Sequence, residues 1–252
     1  MSVGGRTLGA MQTHISALGT IMGIWAHPDD EAYLSGGLMA LARANAQRVV
    51  CVTATRGELG TTDPEAWPPE RLAAERTREL ADCLAVLGVH EHHWLGYRDG
   101  DCAAAAAPAA VARLTELIAR VRPDTVLTFG PDGLTGHPDH QAVSAWTGAA
   151  FAAAAPGARL LHATIAQRRA VPGDELGIYP PGYPVRTPDA DLAVDLVLEP
   201  AVAALKAKAL AAQATQTGGL IATLGLDTYT AWVGAESFVE SARRRFDVVS
   251  AC

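Results

Sequence analysis

Ile21-Met22-Gly23-Ile24-Trp25-Ala26, followed at once by His27-Pro28-Asp29-Asp30-Glu31, is the stretch that decides the architecture. The apolar run reads as a strand. Behind it, Leu34, Leu38, Leu41 and Ala42 recur at helical spacing, which predicts a helix over 32–46. The same alternation continues outward. Strands are expected at Arg48–Ala54, Glu91–Leu95, Asp124–Phe129, Leu160–Ile165 and 191–198, and helices at 70–87, 108–121, 138–153 and 200–214. Strand and helix in alternation imply an α/β fold, Rossmann-like, with a mainly parallel sheet and helices on both faces. No internal repeat or linker divides the chain, so 1–252 reads as a single domain. Residues 1–18 read as an N-terminal extension. Residues 167–190 carry Pro172, Pro180, Pro181, Pro184 and Pro188 and read as an irregular lid or specificity loop.

With 49% hydrophobic and 19% charged residues, 252 residues can bury a sizeable core. The net charge of −7 argues against nucleic acid or an anionic membrane as partner. The basic triplet Arg243-Arg244-Arg245 reads as a solvated helix face. No apolar run approaches the ~20 residues that span a bilayer. Cys51, Cys83, Cys102 and Cys252 form no CxxC pair and read as reduced thiols of a cytoplasmic protein. The expected partner is a small molecule; composition leaves a homo-oligomer open.

In parallel sheets, ligands bind beyond the carboxyl ends of the strands. Four expected strands end there in polar loops: His27–Glu31, Thr55-Arg56-Gly57-Glu58, Gly96-Tyr97-Arg98-Asp99-Gly100, and the segment leading to Gly136-His137-Pro138-Asp139-His140. Adjacent carboxylates repel, so a strand end holding Asp29, Asp30 and Glu31 calls for a cation or a proton relay. Pro138 starts a helix, making His137 its N-cap and placing His140 one turn in. His27, Asp30 and His140 then supply two imidazoles and one carboxylate. That set leaves a divalent metal, Zn2+ or alternatively Fe2+, with a position open for water. Asp29 is placed as general base. His137 can stabilise an oxyanion and protonate a leaving nitrogen, with Asp139 as the partner that raises its pKa and orients it.

Other readings are weaker. Two histidines and a carboxylate also occur in non-haem iron oxygenases, but on β-sandwiches. A non-catalytic metal- or sugar-binding module would need neither Asp29 nor His137. No strand leads into GxGxxG, and Gly130–Gly136 lacks the Lys-Ser/Thr of a phosphate loop. The triplet His90, His92 and His93 has no attendant carboxylates and reads as surface or satisfied histidines.

Taken together, Ala26–Glu31, Thr55–Glu58, Gly96–Gly100, Gly136–His140 and the later Lys208-Ala209-Leu210 and Thr215-Gln216 resemble the LmbE-like/PIG-L family of zinc-dependent N-deacetylases. The resemblance implies removal of acetyl from an N-acetylglucosaminyl-type substrate. An amidase acting on a non-sugar or thiol-conjugate amide is the alternative at the same centre. It implies the same metal ligands and acid–base residues, and adds Arg76 and Asp99 as groups that hold sugar hydroxyls. Two positions depart from the family pattern. Thr135 stands where some members have tyrosine, with Tyr97, Tyr179 and Tyr183 as candidates to replace that hydroxyl. Gln213-Ala214-Thr215-Gln216 stands where His-x-Ser-Gln is usual.

Overall fold

The computed structural model describes residues 15–169 and 179–241. Most of the 1–18 extension, the centre of the proline-rich segment, Arg243–Arg245 and Cys252 lie outside the described residues. Strand β1 (Ile21–Trp25) is buried along its whole length, as are β2 (Val49–Thr53) and β4 (Thr125–Phe129). Such near-continuous apolar runs are what a sheet covered on both faces requires. With β3 (Glu91–Trp94) and β5 (Arg159–Ala166) they form five parallel strands in the order β3-β2-β1-β4-β5. Helices α1 (Asp30–Ala44), α2 (Pro69–Val86), α3 (Ala107–Val121) and α4 (Pro138–Ala154) make the crossovers.

The C-terminal third differs from the expectation. The helix expected over 200–214 stops at Ala211 (α5, Pro200–Ala211) and is followed by α6 (Ala214–Leu224) and α7 (Leu226–Val233). A two-residue strand, β6 (Arg186–Thr187), pairs with the end of β5. Strands β7 (Val194–Val197) and β8 (Ala235–Glu240) then close the sheet antiparallel, β8 lying between β5 and β7. Strand β8 has no clean apolar alternation because Glu236 and Ser237 are buried alongside Phe238.

Glu236 is tolerated inside because Lys206 of α5, also fully buried, meets it at 2.8 Å. The pair is inserted into the hydrogen-bond ladder of α1. Gly37 and Leu38 donate their N–H groups to the Glu236 carboxylate at 2.6 and 2.8 Å, while Lys206 Nζ donates to the carbonyl of Tyr33 at 2.7 Å. The close approach uses Gly36, where a Cβ would come within 3.3 Å of the Lys206 side chain. Cys51, Cys83 and Cys102 are buried free thiols, and among the described residues no helix is long and apolar enough to cross a membrane.

Removing one partner of a buried pair leaves an uncompensated charge. Lys206→Met should therefore destabilise the protein by about 3–5 kcal/mol in a denaturant titration. A loss under 1 kcal/mol would show that the pair does not hold α1 in place.

Candidate metal centre

Strands β1 and β4 are parallel neighbours, with Ile21 opposite Thr125 and Gly23 opposite Leu127. Because β2 and β3 stack on one side of β1 and β4 and β5 on the other, the chain reverses its direction of propagation between β1 and β4. The crevice at such a reversal is where open parallel sheets bind ligands. The two histidine-bearing segments, which follow these two strands, leave the sheet side by side.

The first loop is held in a conformation that a non-glycine residue seldom adopts: Asp29 has φ of 112°. Its N–H donates to Glu31 Oε2 at 3.0 Å, and the His27 N–H donates to Asp30 Oδ2 at 2.8 Å. Arg76 of α2 reaches under the loop, donating to the carbonyls of Gly57 (2.8 Å) and Pro28 and lying 3.4 Å from Asp29 Oδ2. A Cβ at Gly57 would overlap the Arg76 guanidinium, which explains a glycine in Thr55-Arg56-Gly57-Glu58. The second segment turns tightly after β4, with Gly133, Leu134 and Gly136 all at positive φ. His137 then caps α4, accepting at Nδ1 from the Asp139 N–H at 3.2 Å.

These two loops bring His27, Asp30 and His140 together. His27 Nδ1 lies 3.1 Å from His140 Nε2 and 3.6 Å from Asp30 Oδ2, and His140 Nε2 lies 3.4 Å from Asp30 Oδ1. Ligand atoms ~2.0–2.1 Å from a tetrahedral ion stand ~3.3 Å apart, so the donor set and its spacing fit a divalent cation. Each imidazole is oriented from behind. His140 Nδ1 faces the Gly133 carbonyl at 3.0 Å and Thr135 Oγ1 at 3.1 Å, and its ring stacks on Phe129 at 4.1 Å. His27 Nε2 faces Asp99 Oδ1 at 3.0 Å and Asp139 Oδ2 at 3.2 Å. Outer partners of this kind fix the tautomer and leave the inner nitrogen for a metal.

Two other clusters share His27. One ring nitrogen from each of His27, His137 and His140 lies within 4.8 Å of the others, so His137 stands close enough to join the same centre. In the other, Asp99 and Asp139 already accept backbone N–H groups, from Leu59 at 2.9 Å and from Gly100 and Cys102 at 2.8 and 3.0 Å. They meet the outer nitrogen of His27 and act as its orienting groups.

Burial opposes a charged His27, but hydrogen bonds to Asp139 and Asp99 and the charges of Asp30 and Asp99 overcome it, holding the imidazolium up to about 10. Burial pushes Asp29 up to about 7 against the pull of Arg76. Burial and the Asp29 charge push Glu31 to about 8. For Asp99, burial is outweighed by the His27 hydrogen bond and charge, and its carboxyl falls to about 2.

The structure changes the expected role of Asp139. Its carboxylate does not pair with the His137 imidazole; it faces His27 Nε2 and the N–H groups of Gly100 and Cys102, the latter of which would otherwise be buried without a partner. Asp139 still raises the pKa of His137 through space, but burial and the His27 charge outweigh it, so His137 lies below its ordinary value. In the neutral ring, the Asp139 N–H on Nδ1 places the remaining proton on Nε2, which makes exposed His137 a hydrogen-bond donor. Arg76 and Asp99 stand at the centre but are 3% and 6% exposed and engaged with the groups named above.

Of the three tyrosines, Tyr179 lines a cavity of about 340 Å³ shared with Asp29, Asp30 and His140. Tyr183 covers Gly136, where a Cβ would come within 2.7 Å of its ring, and Tyr97 packs on Trp146. Gln213 donates to Glu31 Oε1 at 2.6 Å, and Thr215 binds Glu79 through its N–H and hydroxyl at 2.8 and 2.6 Å, tying α6 to α1 and α2. Glu31 was expected only as part of the carboxylate run and was given no role of its own, and Gln213, which bonds it, and Gln216, which lines the cavity, were not expected at the site. Glu31 carried a signal, as the third carboxylate of its run; the two glutamines carried none beyond the resemblance. Among the other histidines, His92 is satisfied by Thr53 Oγ1 at 3.0 Å.

Residues 22–151 match the family described as PIG-L, GlcNAc-PI de-N-acetylase. A 1D-myo-inositol 2-acetamido-2-deoxy-alpha-D-glucopyranoside deacetylase of Kineococcus radiotolerans is 40% identical over 148 residues, covering 48% of this chain and 41% of the relative. A deacetylase of the same description from Streptomyces griseus is 37% identical over 46% of this chain and 43% of its own length. The matched part thus spans under half of either relative. The N,N'-diacetylchitobiose deacetylase of Pyrococcus horikoshii shares the fold, with TM-score 0.62 and 20% identity over 95% of each chain.

A ligand nitrogen must be bare, so metal uptake below pH 10 should expel the Nδ1 proton of His27. Calorimetric titration of metal-free protein in buffers of different ionisation heat should show a proton released per metal, with affinity rising about tenfold per pH unit. Uptake without proton release would remove His27 as a ligand. His140→Ala should lose bound metal while keeping its far-ultraviolet circular dichroism; unchanged metal content would break the ligand assignment.

Proposed function

This chain belongs to the PIG-L family, and from that premise we propose that it is a metal-dependent deacylase hydrolysing the amide of an N-acetylglucosaminyl-type substrate. The observation that carries the reading is the triangle of His27, Asp30 and His140 donor atoms with the Asp29 carboxyl beside it. Two imidazoles and a carboxylate suit zinc, and also accept iron(II). Such an ion lowers the pKa of a water molecule to ~7 and polarises a carbonyl.

The chain's own residues supply the rest. Asp29 takes the proton of the attacking water; its carboxyl lines the cavity beside the His27, Asp30 and His140 donor atoms, and burial raises its basicity above that of an exposed carboxylate. Arg76 holds the Pro28–Asp29 loop from below and favours the ionised form of Asp29. His137 donates from Nε2 to the amide oxygen as negative charge develops there; its Nδ1 is held as an acceptor by the Asp139 N–H, so the proton that Asp29 takes from water is the one passed to the departing nitrogen as the C–N bond breaks. Asp99 and Asp139 keep the Nε2 proton of His27, so that Nδ1 faces the centre. Sugar hydroxyls would reach Arg76 and Asp99 in addition to the partners these residues already have. The oxygenase alternative has no use for a base placed like Asp29, and a binding module has none for it either.

A primary-amine release assay over N-acetylglucosamine conjugates, with and without a chelator, tests the reading. Amine should appear only from metal-loaded protein; no amine from any conjugate would reject it. Asp29→Asn, which suits the positive φ at this position, should keep its metal and lower turnover by ~10²–10⁴-fold. Near-normal turnover in that variant would remove Asp29 as base.

A further inference from the structure

The cavity beside the centre is larger and drier than an acetyl group requires. It starts at Asp29, Asp30 and His140 and runs between α1, β5, α6, α7 and β8, with a volume of about 340 Å³. Its apolar lining includes Tyr33, Leu34, Ile165, Leu220, Trp232 and Val233. Of the charged side chains that line it, Glu236 is paired with Lys206 and Arg169 with Asp195 at 2.6 Å, which leaves, among the described residues, Arg169 Nε as the one buried donor of these two without a partner. Polar groups on the walls are engaged as well. Thr164 bonds Thr187 at 2.7 Å, Ser237 bonds Asp195 at 3.1 Å, and Gln216 donates to the Gly60 carbonyl at 3.0 Å. The Tyr33 hydroxyl accepts from Tyr229 at 2.8 Å and keeps its own proton as a donor. A sugar placed here would lose water from its hydroxyls and find few partners, whereas an apolar chain loses nothing.

The side of the centre on which the cavity lies identifies which part of the substrate enters it. His27, His137, Asp99 and Asp139 do not line it. Arg76, assigned above with Asp99 to the sugar hydroxyls, does not line it either, so the amine-bearing sugar lies outside the cavity. The substituent on the carbonyl carbon then points the other way, into the cavity.

We propose that this cavity receives the acyl chain of the substrate, and that N-acyl glucosaminyl compounds with chains of about six to ten carbons are hydrolysed in preference to N-acetyl ones. The proposal rests on the deacylase reading above and names its acyl group. An apolar cavity of ~150 Å³ holds a benzene ring, so this space accommodates a medium-length chain, not a single methyl group. Hydrolysis divides the amide into a fatty carboxylate and the free amine of glucosamine, with one water consumed.

The test measures kcat/KM for glucosamine release from N-acyl-D-glucosamines with even-numbered chains from acetyl to dodecanoyl, together with octyl 2-acetamido-2-deoxyglucoside. Each methylene buried should raise kcat/KM by about three- to fourfold until the cavity is full. Leu220→Trp, which fills the cavity, should lower the ratio of octanoyl to acetyl hydrolysis at least tenfold. That ratio is read within one protein, so partial misfolding does not mimic the effect. A rate that is highest for acetyl and falls with chain length would overturn the proposal while leaving the deacylase reading intact. So would a gain confined to the octyl glycoside. Release of amine from no member of the series would reject the parent reading instead.

Discussion

The parallel pairing of Ile21–Trp25 with Thr125–Phe129 is the constraint on which the site depends. It joins two strands a hundred residues apart and places the loops that follow them on one rim. Neither loop alone could hold a divalent cation in three-point contact. His27 and Asp30 come from the first and His140 from the second, and both loops take backbone conformations set by a strained Asp29 and a turn rich in positive φ.

Charge makes the same point from the energetic side. Asp29, Asp30, Glu31, Asp99 and Asp139 gather around the centre, most of them largely buried, with Arg76 and His27 as the nearby cationic groups. The protein meets the desolvation cost with backbone and side-chain donors: Leu59 on Asp99, Gly100 and Cys102 on Asp139, Gln213 on Glu31. Asp29 and Glu31 still sit high in pKa, because burial penalises their charged forms and neighbouring carboxylates add to it. A dication held by His27, Asp30 and His140, as proposed, would add positive charge where the carboxylates converge.

The C-terminal segment gives the site its second wall. Helices α6 and α7 and the antiparallel strand β8 bring Leu220, Trp232 and Val233 against α1, and the Lys206–Glu236 pair couples β8 to the backbone of the helix that begins with Asp30. The same element that shapes the cavity therefore also anchors the ligand-bearing helix.

Much of this was legible in the residues. The alternation of apolar runs and helical spacing from Ile21 to Ile165 determined the parallel sheet, because strands buried on both faces must be apolar throughout. The dense runs at 27–31 and 136–140 pointed to the residues that the fold brings together at the candidate centre, because few other uses justify such clustering of charge and imidazole. Tertiary structure alone decided what those side chains face. Asp139 turned from its neighbour His137 to His27, since the loop at 100–102 needed its acceptors, and Arg76 went beneath the Asp29 loop. The strand at 235–240 was hidden in the sequence because its buried glutamate is stabilised by a lysine thirty residues away, a pairing that no local pattern encodes.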